Sequence, residues 1–255
     1  MSYEQLIYEP GPVARVILNR PQYRNALSRV LYEEIDSAFA EAAADPAVKV
    51  VVLSGNGPTF CAGLDRGSPP ELSDREARPL STEPQDQYER GREMWLGRSQ
   101  RFHAIPKPLI GMVQGHCINA GSMLAQCMDV LFAADDALFS FVDSQHPALC
   151  DGPSSARLLK DILFEGRMVT AEEALRLGFV TRLYPSADLE MQTMAYAERV
   201  AAKHPWHLAM VKRSIEQSLE TQGLSASLET AHHVLSMTRT LDGPPIVRRP
   251  AERPS

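Results

Sequence analysis

The chain has 255 residues, 44% hydrophobic and 23% charged, with a formal net charge of −6 and a sequence pI near 5.7. That is long enough to bury a sizeable core unaided, and it excludes a disordered tail, a collagen-like chain and a disulfide-stapled mini-protein. The acidic balance argues against a nucleic-acid surface, no run approaches the ~20 apolar residues of a membrane span, and residues 1–10 carry Glu4 and Glu9 with no apolar signal segment, so a cytoplasmic protein touching neither nucleic acid nor membrane is expected.

Residues 13–18 read as a strand, ended at Asn19-Arg20-Pro21 because proline removes a ladder donor. Ser28 can cap a helix whose apolar face is Leu31, Ile35, Phe39 and Ala42, stopped at Asp45-Pro46. Residues 49–54 are nearly continuously apolar, as in a strand buried on both faces. Residues 67–93 are rich in charge and proline and read as a mobile surface loop with one helical turn. A helix over 94–103, a strand over 109–113, a helix over 120–127 and a strand over 130–133 follow. This alternation predicts an α/β architecture with largely parallel strands and right-handed crossovers.

Beyond residue 150 the chain reads as helical. Pro153 opens a helix to 163, and Thr170 with Glu173 makes a capping box for a helix that ends at Gly178. Further helices are expected over 189–203, 208–219 and 224–237, the middle one with Leu208, Val211, Ile215 and Leu219 on one face. Residues 243–255 read as irregular. The division is a core over 1–190 and a helical C-terminal region over 191–255. The four cysteines, Cys61, Cys117, Cys127 and Cys150, have no C-x-x-C spacing, so reduced, mostly buried thiols and no metal site are expected.

Two glycine-containing turns each follow a buried strand. They are Phe60-Cys61-Ala62-Gly63-Leu64-Asp65 and Gln114-Gly115-His116-Cys117-Ile118-Asn119-Ala120-Gly121-Ser122. Small residues admit close backbone approach, and backbone N–H groups at such turns can hold a developing oxyanion. Both can equally be ordinary strand-to-helix turns. Neither matches a dinucleotide or P-loop fingerprint.

Those turns, with Asn19-Arg20-Pro21, Arg24-Asn25-Ala26-Leu27-Ser28, Lys107-Pro108-Leu109-Ile110, Cys127-Met128-Asp129 and residues 170–178, resemble in order and spacing the crotonase (enoyl-CoA hydratase/isomerase) family, over about residues 5–220. The resemblance implies a crotonase/ClpP-like spiral of ββα units with C-terminal helices that trimerise. It implies an acyl-CoA thioester as substrate, no cofactor beyond that CoA, and a homotrimer or dimer of trimers. The N–H groups of Leu64 and Ala120 would hold the thioester oxygen as it becomes an enolate. Arg24, Ala26, Ala62, Gly63, Asp65, Arg66 and Gly121 would lie near CoA or substrate, and Lys212 is a candidate phosphate contact. Arg24 and Lys212 also fit solvated surface cations.

The carboxylates depart from the family pattern. Hydratases carry two glutamates, where this chain has Met123 and Asp143. A thioether cannot transfer a proton, and aspartate is one methylene shorter than glutamate. Asp151 follows at a position where dienoyl-CoA isomerases carry a proton-transferring aspartate and aryl-CoA dehalogenases a nucleophilic one. Asp143 and Asp151 are therefore the candidate proton carriers, and the pattern favours isomerisation or an unusual substrate over short-chain hydration. The alternatives are hydration by the Asp143 and Asp151 pair, attack by Asp151 on a ring carbon with Trp95 nearby, and a CoA-binding protein without catalysis. Asp143 as a turn residue, Asp151 as a helix cap and His116 or His146 as pocket residues stay open. An RNA-binding relative lacks its basic stripe here, and a serine protease built on Ser122 lacks its histidine.

Overall fold

The computed structural model describes residues 3–141 and 153–240. Strand β1 (Leu6–Glu9) pairs antiparallel with β2 (Val13–Leu18). Along β2 the side chains alternate as strand geometry requires, so Ala14, Val16 and Leu18 are buried. Helix α1 (Arg29–Ala44) begins where Ser28 Oγ accepts from the Leu31 N–H at 3.0 Å, and it buries Leu31, Ile35, Phe39 and Ala42. Strand β3 (Val50–Gly55) is buried at every position.

Residues 67–93 are not a loop with one helical turn. They contain two helices, α2 (Pro69–Ala77) and α3 (Pro84–Arg92), and a π-helical segment, Glu93–Gly97, then leads into α4 (Arg98–Ala104). No apolar stripe betrays these helices, because the only buried residue of α2 is Glu71 and α3 buries none. The Glu71 carboxylate accepts from the Arg29 N–H at 3.0 Å and from Arg75 Nε at 2.7 Å, so α2 is tied to the start of α1 by charge. Ser68 as N-cap with Pro69 after it was the readable start signal.

Strands β4 (Leu109–Val113) and β5 (His116–Ile118) precede α5 (Ala120–Gln126), and β6 (Val130–Ala134) and β7 (Leu138–Ser140) precede α6 (Pro153–Glu165). Then come β8 (Val169–Thr170), α7 (Ala171–Arg176), β9 (Arg182–Tyr184), α8 (Leu189–Ala201), α9 (Pro205–Thr221) and α10 (Leu224–Thr240). The Thr170–Glu173 capping box is present on both sides, at 3.2 Å each.

A six-stranded sheet has the order β1-β2-β3-β4-β6-β9 and a three-stranded one the order β5-β7-β8. Each turn of the chain gives one strand to each sheet. β4 is followed by β5 and β6 by β7, and β3 is followed by Cys61, which bridges in parallel to Cys117 of β5. The architecture is the expected α/β spiral of ββα units. The ends of β3 and β4 and the two turns after them therefore stack side by side.

Helix α8 packs on the large sheet through Leu189, Thr193, Ala197 and Ala201, so a boundary at residue 190 falls inside a core helix. Helix α9 buries no residue. Its predicted apolar stripe points outward, with Val211 45% and Ile215 57% exposed.

Candidate active site

The two turns are fastened backbone to backbone. The Phe60 N–H donates to Gln114 O at 2.9 Å, the Cys61 N–H to His116 O at 3.0 Å, and the Ile118 N–H to Cys61 O at 2.9 Å. Glycine permits this approach at two positions. Gly63 has φ +94, and a Cβ there would lie 3.1 Å from Ile118 O. A Cβ on Gly121 would lie 2.8 Å from Cys61 Cβ and 2.9 Å from Cys61 O.

Segments 24–27 and 62–65 run beside each other. The Ala62 N–H donates to Arg24 O (3.0 Å), the Leu27 N–H to Gly63 O (2.8 Å) and the Asp65 N–H to Leu27 O (2.9 Å). This zipper takes the N–H of Asp65, and the Gly63 N–H faces Cys61 Sγ at 3.4 Å, but neither uses the N–H of Leu64. Ala120 is the first residue of α5, where an N–H has no intrahelical partner. Among the described residues, no acceptor takes the N–H of Leu64 or of Ala120. The preceding residue, Asn119, has φ +46 and ψ −101, a strained conformation for a residue with a side chain. Ser140 holds it there, accepting the Asn119 N–H at 2.8 Å and donating its hydroxyl to Asn119 Oδ1 at 3.0 Å. Ser122 Oγ is fully buried, 2.8 Å from Cys117 O and 2.9 Å from Ser140 O, which suits a fastening and not an exposed nucleophile.

Arg24 and Arg66 are exposed beside this strip, and Ala26 and Ala62 are half-buried within it. Asp65 is 6% exposed. Its carboxylate accepts from Arg20 Nη2 (2.8 Å), the Ser68 N–H (2.8 Å), the Gly67 N–H (3.1 Å) and the Ser68 hydroxyl. Burial alone would raise its pKa, but these donors outweigh burial and hold it below the ordinary carboxylate value. Arg20 is 2% exposed and also donates to Ala26 O at 2.5 Å, so it joins both segments of the strip. The sequence reading gave Arg20 no role, although a cation two residues past a core strand and a buried-loop aspartate were the signal.

The structure does not bring Lys212 to the turns. Its ammonium is 2.9 Å from Asp129 Oδ2 and 3.3 Å from Lys107 O, near the start of β4, whereas the second turn follows the end of that strand. Burial pushes the Asp129 carboxyl up, opposed chiefly by Lys212. Replacing Lys212 by methionine is expected to cost about 1–2 kcal/mol of stability at neutral pH, because it leaves a largely desolvated carboxylate, 18% exposed, without its cation. A carboxyl whose folded pKa is raised destabilises above that pKa, so the deficit should shrink on acidification. Urea denaturation at several pH values checks this, and an unchanged midpoint would remove the pairing role.

Met123 is half-buried and lines a cavity of about 310 Å³ together with Trp95, Phe102, Phe179 and Leu219. Trp95 is 8% exposed and meets Tyr32 edge to face, with ring centroids 5.6 Å apart. His116 is exposed. Asp143, His146, Cys150 and Asp151 lie outside the described residues. Burial pushes the thiols up, Cys61 to about 12 and Cys127 to about 11, so they are protonated packing groups and not nucleophiles. Among the described residues, no group of His, Cys, Asp and Glu is arranged to hold a metal ion, and no helix is long and apolar enough to cross a membrane.

Known proteins match this chain in sequence and in fold. A sequence model of the enoyl-CoA hydratase/isomerase family matches residues 9–242. A Mycobacterium tuberculosis protein named as an enoyl-CoA hydratase is 31% identical over 258 residues, covering 89% of this chain and 78% of its own. The crystal structure of a probable enoyl-CoA hydratase from Mycobacterium thermoresistibile is 32% identical with a TM-score of 0.81, covering 92% of this chain and 96% of that one. An enoyl-CoA hydratase/isomerase from Xanthobacter autotrophicus Py2 is 29% identical with a TM-score of 0.81, covering 96% and 90%.

Proposed function

The chain belongs to the enoyl-CoA hydratase/isomerase family, and from that premise we propose that this acyl-CoA enzyme holds a thioester oxygen between the N–H groups of Leu64 and Ala120. The observation that carries the reading is that, among the described residues, these two donors lack acceptors, on turns locked together at Cys61, Ile118 and Gly121. Loss of a proton beside the thioester carbonyl makes an enolate. Fixed donors aimed at that growing charge contribute about 3–4 kcal/mol each.

The rest of the site follows from where each residue stands around the two turns. Arg24 and Arg66 are proposed to meet the CoA phosphates, with Ala26, Ala62, Gly63 and Gly121 giving the thioester close access to the backbone. Asp65 and Lys212 act by ion pairing within the protein. Met123 supplies a wall where a hydratase has a proton carrier. Asp143 and Asp151 are the proposed proton carriers, one removing a proton from a carbon conjugated to the thioester and the other returning one to a different carbon. Isomerisation is therefore favoured over hydration.

An ultraviolet scan separates the outcomes. A shift of the absorption band with a 3-enoyl- or 3,5-dienoyl-CoA is the expected result. Loss of the conjugated band with a 2-enoyl-CoA would show water addition and overturn the preference. No change with either, despite binding, would mark a CoA-binding protein without turnover.

The outward residues Val211 and Ile215 of α9 and Val234 of α10 support association of copies, with a trimer or dimer of trimers proposed. Replacing Ile215 by glutamate is expected to lower the sedimenting mass toward that of one chain. An unchanged mass would move the interface elsewhere.

A further inference from the structure

Besides the Met123 cavity there is a cleft of about 630 Å³ between α9 and the segments that lead into β3 and β4. That volume is within the ~300–1,000 Å³ of ordinary ligand sites. Val48 and Lys49 line it just before β3, and Pro106 to Pro108 just before β4. The two small-residue turns follow the other ends of those parallel strands. The cleft and the proposed thioester site therefore stand at opposite ends of the sheet.

Its walls carry mostly one sign of charge, although the chain as a whole has a net charge of −6. Lys49, Lys107, Lys212 and Arg213 line it against a single lining carboxylate, Glu216. Glu216 is taken by His103 at 3.3 Å and Lys212 by Asp129 at 2.9 Å. Lys107 Nζ donates to two backbone carbonyls, Ala42 O and Asp45 O, both at 2.6 Å. Burial lowers the Lys107 pKa, opposed by the Asp45 charge. Among the described residues, the side chains of Lys49 and Arg213 have no hydrogen-bond or ion-pair partner. Three cations thus line one cleft without forming an ion pair, and a bound anion would relieve their mutual repulsion.

The remaining wall is apolar. Trp206 lines the cleft and is 68% exposed, and Ile105, Pro106, Pro108 and Met210 line it too. An exposed indole beside cations offers a face on which a nucleobase stacks. Three cations call for more than one negative charge. A nucleoside diphosphate carries roughly three, since each phosphate adds one and the terminal one nearly a second. Trp206, Met210 and Arg213 recur at helical spacing on one side of α9, whereas Val211 and Ile215, proposed to join copies, lie on the other. We infer that the cleft binds a nucleoside diphosphate, its base stacked on Trp206 and its phosphates held by Lys49, Lys107 and Arg213.

The chain has two tryptophans, so the Trp95→Phe variant reports on Trp206 alone. Titration with ADP, without magnesium, should quench Trp206 saturably. Adenosine, which lacks the charges, should bind at least a hundredfold more weakly. Calorimetry of the unmodified protein gives the ADP affinity independently of that variant. Arg213→Gln and Lys49→Gln should each lower it about tenfold, the loss of one charge-assisted contact. Arg66→Gln, at the other end of the sheet, should leave it unchanged. No saturable quenching together with no heat of binding would overturn the site. So would equal binding of adenosine and ADP. ADP binding that is lost with Arg66→Gln but kept with Arg213→Gln would place the nucleotide at the turns and overturn the cleft as its site.

Discussion

Replacing Gly121 by alanine is expected to lower kcat a hundredfold or more while leaving the fold intact. The added Cβ would stand 2.8 Å from Cys61 Cβ, 2.9 Å from Cys61 O and 3.0 Å from Cys61 Sγ, distances at which something must shift. Two of those atoms move only with the Cys61 backbone, which the His116 and Ile118 hydrogen bonds anchor to β5. The relief is for the two turns to part, which separates the Ala120 N–H from the Leu64 N–H. Misplacing one oxyanion donor typically costs about 10²–10³ in kcat. Rate and melting temperature measured on the same preparation check this. A fully active variant would show that the turns need not touch, and the proposed donor pair would fall with it.

Replacing Arg20 by methionine is the second large effect, and it acts on stability first. Arg20 and Asp65 are both nearly inaccessible, with side-chain exposures of 2% and 4%. Removing one partner of such a pair leaves an uncompensated buried charge, and about 3–5 kcal/mol is the usual cost. The sign with pH follows from Asp65. Its folded pKa is held below the unfolded value, so its contribution is complete above the unfolded value of about 3.9 and is lost as pH falls through the folded one. The gap between wild type and variant should therefore be widest at neutral pH and narrow in acid. It should not vanish, because Arg20 also bonds Ala26 O without regard to pH. Denaturation midpoints from pH 7 downward test it, and a gap of constant width would assign the whole loss to packing. Turnover should fall as well, because Leu64 sits between the two segments that Arg20 joins.

Much of the fold could be read because its signals are local. The alternation over 13–18, the apolar run over 49–54, the Ser28 cap and the Thr170–Glu173 box each occupy a few neighbouring residues, and each appears in the structure at those places. The short strands β5, β7, β8 and β9 escaped, since two or three residues carry no periodicity. The helices α2 and α3 escaped because they are held by charge and capping, not by an apolar face. At the site, the motif residues of the two turns pointed to Leu64 and Ala120 through family resemblance, but nothing in their spacing says that the turns touch.

By itself, then, the sequence determined the α/β class, the elements with strong local periodicity or caps and the two small-residue turns, and the family resemblance set Met123 where hydratases carry a glutamate. Tertiary structure alone decided that Gly121 abuts Cys61, that Asp65 is taken by Arg20 and Lys212 by Asp129, and that the apolar stripe of α9 faces outward. The physical reason is range. Helical and strand preferences are set by steric and hydrophobic repeats over a few residues. Which charge meets which, and which of two apolar faces is covered, depends on groups far apart in the chain that only the completed spiral places side by side.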